Sequence, residues 1–391
     1  MALAAPLVGG QGAGHDCAAC GAGEKNTMDI STHHTPRWSL LAPFLTLAFV
    51  GLGHYVWHGI AAGWGLAISV PLLFAAVFAA VHHAETIAHK LGDPLGSIVL
   101  AVAVTVIEVA LIINLLLAAP DAASTVARDT VFAAIMIVLN GIVGLCLLVG
   151  GARYRMQGLQ AHGASAALGV LSTIAVLGLV LPNFTTTLPG PLYAPSQLLF
   201  VAAASLALYG MFLFVQMVRH PEDFRDPDSL GAAALIAPPS PRALWTAALA
   251  LPVTLLAVVL LAETLAPEVE AAVAAAGLPN ALVGVAIAAV VLMPEGVAAV
   301  RAARLNRIQT SLNLALGSAL ASICLTIPTI AFLSLAMGQP LVLGLEAEHI
   351  VLLILSLFIA TLTLVTGRTT VMQGGIHLVI FGAFLVIMAV P

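Results

Sequence analysis

SIVLAVAVTVIEVALIINLLL, from Ser97 to Leu117, is the stretch whose reading decides the fold. It is a continuous apolar run long enough to cross a bilayer as a helix, and it carries a single charge, Glu108, near its middle. A carboxylate at that depth costs about 2.5 to 3.5 kcal/mol on insertion scales, so such a group is retained for use. A counterpart lies in the second half of the chain. Glu295 sits in GVAIAAVVLMPEGVAAV, from Gly284 to Val300, and the two acids together suggest a chain that meets a cation inside a membrane.

The rest of the composition agrees. Of 391 residues, 61% are hydrophobic and 8% charged, and the mean hydropathy is +1.09, which excludes a soluble globular fold. The apolar runs are continuous and helix-length rather than short and alternating, which favours a bundle of membrane helices over a β-barrel. A net charge of -5, with the acids in loops and at a few intramembrane positions, gives no case for nucleic acid binding. Cys146 and Cys324 fall inside apolar spans and read as small packing residues. Cys17 and Cys20, with His15 nearby, fall short of the four regularly spaced ligands of a structural zinc site.

Residues 1–38 are small, Gly-rich and polar, a tail rather than a signal peptide. Eleven spans follow: one extra helix over 39–61, a five-helix repeat over 64–219, a polar linker over 220–242 and a second five-helix repeat over 243–391. The linker carries Glu222, Asp223, Asp226 and Asp228 before a Pro-rich stretch. It reads as a solvated connector, with a cation-sensing segment as the other reading. With this count, Lys25, Arg37, Lys90, Arg153, Arg155, Arg219, Arg225, Arg242, Arg301, Arg304, Arg307 and Arg368 share one side and Arg128 alone lies opposite. The positive-inside rule then puts the amino terminus in the cytoplasm and the carboxyl terminus outside, in a multi-pass inner-membrane protein.

The halves repeat in sequence. AETIA (Ala84–Ala88) and AETLA (Ala262–Ala266) each precede a Gly/Pro break and then the span holding the central glutamate. An odd number of helices per half inverts the second copy, and that arrangement places an ion site near the midplane. There Glu108 and Glu295 would converge, their oxygens replacing the water shell of a hard cation, with protons competing for the same pair. Such competition is the basis of an antiporter. Glu85 and Glu263, at matching places in the two copies, are candidates for an ion or proton path toward the two faces, or else interfacial carboxylates.

Asn140 and Ser318, each beside a glycine, are the best neutral oxygen donors, though small residues there also suit close helix packing. Met293, Pro294, Glu295 and Gly296 predict a break that unwinds the helix and frees carbonyls. His82, Glu85 and His89 share one helical face at a spacing compatible with a metal, without the HExxH order of a zinc hydrolase. His377 reads as a hydrogen-bonded packing residue.

Several motifs together carry a family resemblance over roughly Ser39 to Pro391. They are HHAETIAHKLGDPLG (82–96), the Glu108 span, RDTVFAAIMIV (128–138) with LLVGG (147–151), LMPEGVAAV (292–300), NLALGSALASICLTIP (313–328) and TGRTTVMQGGIHL (366–378). With these the chain resembles the cation/calcium exchanger superfamily, and within it the bacterial ChaA-type antiporters that exchange sodium, potassium or calcium for protons. The resemblance implies one extra helix plus two inverted five-helix repeats, with transport carried by the paired acidic segments. Calcium-selective relatives have Asn three residues before each central glutamate. This chain has Thr105, itself a possible ligand, and Leu292 there, and Ala321 replaces a glutamine expected after the Gly-Ser of the ninth span.

The sequence thus predicts an all-α polytopic membrane protein. The expected activity is export of Ca2+, Na+ or K+ in exchange for H+ by alternating access at Glu108 and Glu295, with no chemical cofactor. Its partners are membrane lipid and inorganic cations. An intramembrane metal-dependent hydrolase built on His82, Glu85 and His89, and an uncoupled cation channel, are the alternatives.

Overall fold

The computed structural model describes residues 36–56, 62–91, 95–118, 120–225, 239–279 and 281–390. The Cys17/Cys20 tail and Asp226 and Asp228 of the linker lie outside them. Helix α1 (Arg37–Val56) is followed by α2 (Ala62–Leu91), α3 (Leu95–Ala118), α4 (Pro120–Met136), α5 (Val143–Tyr154), α6 (Ala161–Ala175), α7 (Pro195–Phe214), α8 (Pro241–Ala275), α9 (Ala281–Arg304), α10 (Ile308–Met337), α11 (Ala347–Val365) and α12 (Val371–Ala389). A π-helical turn, Ile137–Ile142, joins α4 to α5 as one rod, so the helices form eleven rods among the described residues. Further π-helical turns extend α6 (Val176–Val180) and α7 (Val215–Arg219). At about 1.5 Å per residue, the 24 residues of α3 reach about 36 Å, enough for a hydrocarbon layer of about 30 Å.

Local sequence sets the helix ends. Ser240 caps α8 by accepting from the Ala243 amide at 3.2 Å, with Pro241 in the first turn where its missing N–H costs nothing. Gln373 bonds back to the Thr370 amide at 2.8 Å to open α12. Gly338, at φ 65°, ends α10 in the left-handed region that a side chain would disfavour. Two short strands, β1 (Met156–Gly158) and β2 (Arg368–Thr370), pair antiparallel, and Leu192 and Val342 form an isolated antiparallel bridge. The strands join the α5–α6 turn to the α11–α12 turn. Beside them Tyr154 donates to the Arg304 carbonyl at 2.9 Å and Gln157 to Asn306 Oδ1 at 3.0 Å. Arg153, Arg155, Arg304, Arg307 and Arg368 are therefore gathered at one end of the bundle, as the spacing of spans predicts.

The packing is symmetric between halves. α2 lies along α8 and α6 along α11. Exchanging the halves turns α3 against α10 into α9 against the α4–α5 rod, and α7 against α10 into α12 against α5, and every one of these pairs is present. α5 and α12 approach backbone to backbone. A Cβ on Gly374 would meet the Leu148 amide nitrogen at 2.4 Å, and one on Gly144 would meet His377 Cβ at 2.9 Å. The buried side chains fall into two groups. The larger runs through α4 to α7 and α9 to α12, and the smaller joins α2 and α8 to one face each of α3 and α9. Phe200, Trp245, Leu249 and Val379 point outward, as lipid-facing residues do.

The break expected at Pro294 is absent, because α9 runs unbroken from Ala281 to Arg304. Proline deprives only the Val290 carbonyl of its helical donor, and a membrane helix absorbs one such loss when neighbours hold it on both sides. Gly296 lets the α4–α5 rod lie close on one side, since a Cβ there would stand 3.2 Å from Ile142 Cδ1.

Candidate functional site

Glu108 and Glu295 lie on α3 and α9, the symmetry-related helices, and both are buried. They are near enough for their charges to act on one another, and Glu85 also acts on Glu295. Ser322 of α10 donates to Glu108 Oε2 at 2.5 Å. Glu108 Oε1, Glu295 Oε2 and the Thr326 hydroxyl are buried with no hydrogen-bond partner among the described residues. Leaving buried polar oxygens unmet costs about 1–3 kcal/mol each, more when charged.

The neutral candidates separate. Thr105 is buried one turn before Glu108 on the same helix, and Ser318 is half-buried one turn before Ser322. Asn140 is committed elsewhere. Its amide nitrogen donates to Ser356 at 2.8 Å and its oxygen accepts from His377 Nδ1 at 3.0 Å, which leaves Nε2 of that ring to accept from Thr363 at 3.2 Å. Every member of that network is buried and partnered, so it serves to join the π-helical turn to α11 and α12. His377 is the hydrogen-bonded packing residue expected.

Glu85 is half-buried on α2, where His89 and Arg301 act on its charge, whereas Glu263 is exposed on α8. The matching pentapeptides thus sit in unlike surroundings. His82, with its ring 6.1 Å from Trp38, and the exposed His89 are not gathered with Glu85 into a three-ligand cluster among the described residues. Ser322 and Thr326 were not foreseen. Their signal was present, since Ser318, Ser322 and Thr326 recur every fourth residue and therefore line one face of α10.

A model of the family described as sodium/calcium exchanger protein matches residues 61–218 and 246–390, stretches that run from α2 to α7 and from α8 to α12. The chain belongs to this family, within the cation/calcium exchanger superfamily. It is 49% identical over 369 residues to a protein of Sinorhizobium fredii named "Putative ionic transporter y4hA", covering 94% of this chain and 100% of that one. It is also 34% identical over 374 residues to the sodium-potassium/proton antiporter ChaA of Escherichia coli, covering 91% and 97%. The solved structure of native YfkE superposes with a TM-score of 0.67 at 16% identity, covering 90% of this chain and 100% of that one. The H+/Ca2+ exchanger CAX does so with a TM-score of 0.67 at 14% identity, covering 90% and 88%, and at such identities these two matches speak for the fold alone. The chain is a multi-pass membrane cation exchanger and not an enzyme.

Proposed function

We propose that this exchanger is a proton-driven antiporter that expels Na+ or K+, or else Ca2+, through a midplane site formed by Glu108 and Glu295. The observation that carries this reading is the pair of buried carboxylates on symmetry-related helices, each with an oxygen that no neighbour satisfies. A metal ion and protons are alternative ways to neutralise the same two charges in a low-dielectric interior. If the halves rock only when one or the other is bound, proton entry drives cation exit. Ser322 and Thr326 supply hydroxyl oxygens, and Leu292 supplies none where calcium-selective relatives have Asn. A seven- or eight-oxygen calcium shell is therefore harder to assemble here than a monovalent site. The name of the Escherichia coli relative supports sodium and potassium first.

The amino terminus is assigned to the cytoplasm of an inner-membrane protein by the arginine-rich end of the bundle. The driving force is the proton gradient, without a chemical cofactor. The hydrolase and channel alternatives have no counterpart among the relatives named above. Everted vesicles with a pH-sensitive dye test the reading. Addition of Na+, K+ or Ca2+ should dissipate the proton gradient, and Glu108→Gln or Glu295→Gln should abolish the response while the protein still inserts. Coupled exchange persisting in either variant removes that residue from the mechanism, and cation movement without proton movement indicates a channel.

A further inference from the structure

The turn that opens α11 brings together three residues that the transport reading does not use. Glu346, Glu348 and His349 each offer a donor atom within 4.8 Å of the others, the one such group of three among the described residues. Two acids at a helix start are ordinarily explained by the helix dipole. That explanation does not cover His349. Its side chain is 4% exposed, its ring lies 5.0 Å from that of Phe132, and neither ring nitrogen has a hydrogen-bond partner among the described residues. A buried imidazole left this way forfeits about 1–3 kcal/mol unless something else meets it.

The local charges indicate what that is. Arg128, the arginine expected on the opposite side from the others, is buried with Asp129, its Nε 2.7 Å from Asp129 Oδ1. A second guanidinium nitrogen donates to the Gly344 carbonyl at 3.0 Å, and the third is 3.6 Å from Glu346. Asp129 and Glu346 share the one arginine, so with Glu348 three carboxylates face a single positive charge and the group carries a net charge of -2 beside the buried His349 ring. The complement is a dication.

We propose that Glu346, Glu348 and His349 form a second metal site, for a divalent ion of the zinc class, distinct from the ion that is transported. One imidazole nitrogen and two carboxylate oxygens suit Zn2+ or Co2+, whereas Ca2+ and Mg2+ take six or more oxygens. Donors about 2.0–2.2 Å from a tetrahedral ion stand about 3.4 Å apart, so the two exposed glutamates swing inward on binding and water takes the fourth position. The ion would fasten the start of α11, through Glu346, to the Arg128–Asp129 pair of α4.

The test uses the full chain, purified in detergent and carrying Cys17→Ser and Cys20→Ser so that the amino-terminal thiols bind no metal. Equilibrium dialysis should give one Zn2+ per chain. Co2+ should produce the visible absorption of a low-coordinate site and lose it on addition of Zn2+. His349→Gln and Glu348→Gln should each weaken Zn2+ binding by at least about tenfold, in the range seen when a metal site loses a group. Glu108→Gln and Glu295→Gln should leave it unchanged, and millimolar Ca2+ or Mg2+ should not compete. Glu348 is exposed, so its variant carries the test if replacing the buried histidine impairs folding. Zinc binding that survives Glu348→Gln, or that vanishes in Glu108→Gln or Glu295→Gln, overturns the proposal.

Discussion

Glu108 holds one oxygen against the Ser322 hydroxyl, and its other oxygen is buried with no hydrogen-bond partner among the described residues. Ser322→Ala removes that donor and leaves a second carboxylate oxygen unmet. At about 1.4 kcal/mol, within the usual cost of such a loss, apparent cation affinity should fall about tenfold. Ser322→Thr, which keeps the hydroxyl, should restore most of it. The cation concentration that half-saturates the vesicle response measures both. Arg128 is a different case, since its role is structural. Arg128→Met strands Asp129 as a buried unpaired charge, and losing one partner of such a pair costs about 3–5 kcal/mol. The detergent-solubilised variant should unfold at a clearly lower temperature, with part of the loss recovered in Arg128→Met/Asp129→Asn.

Helices in lipid gain little from burying apolar side chains against one another, so close backbone approach carries much of the association. α5 and α12 show this most plainly. Gly374→Val places a methyl-bearing carbon where the Leu148 backbone already is, and neither chain can yield without parting the helices. Its neighbour is a built-in control, because a Cβ on Gly375 meets nothing within 4 Å. Size-exclusion chromatography after brief heating should show Gly374→Val lost from the monodisperse peak and Gly375→Ala unchanged. The π-helical turn at Ile137–Ile142 acts at the same scale. It turns Asn140 toward Ser356 and His377, so a residue that reads as a possible ion ligand becomes the link between two other helices.

For the whole molecule, the proposed orientation, with all eleven rods crossing the membrane, would put residue 36 and residue 390 on opposite faces. An alkaline phosphatase joined after the last residue should be active in the periplasm, while a fluorescent protein at the same point should stay dark. The reverse pattern would invert the assigned orientation, and equal signals from both ends would break the count of spans. The symmetric contacts between α3 and α10 and between α9 and α4 bring the two glutamate-bearing helices into corresponding positions, although Glu85 and Glu263 end in unlike surroundings. The two copies thus share a framework while the same acid is half-buried in one and exposed in the other.

Sequence by itself determined the class of molecule, its succession of membrane helices and the repeat, and it marked two acids within apolar helices, because each is written in local quantities. Those quantities are unbroken apolar length, arginine placement, a recurring pentapeptide and a charge where water is scarce. Tertiary structure alone decided which oxygens share a site. The partner of Glu108 is Ser322, 214 positions away on α10, and the partners of Asn140 lie on α11 and α12. It also decided that the Pro294 segment stays helical and that His349 is buried beside two acids. The reason is that a side chain's periodicity reveals which face of its own helix it occupies, while the helix that faces it is chosen by packing across the bundle.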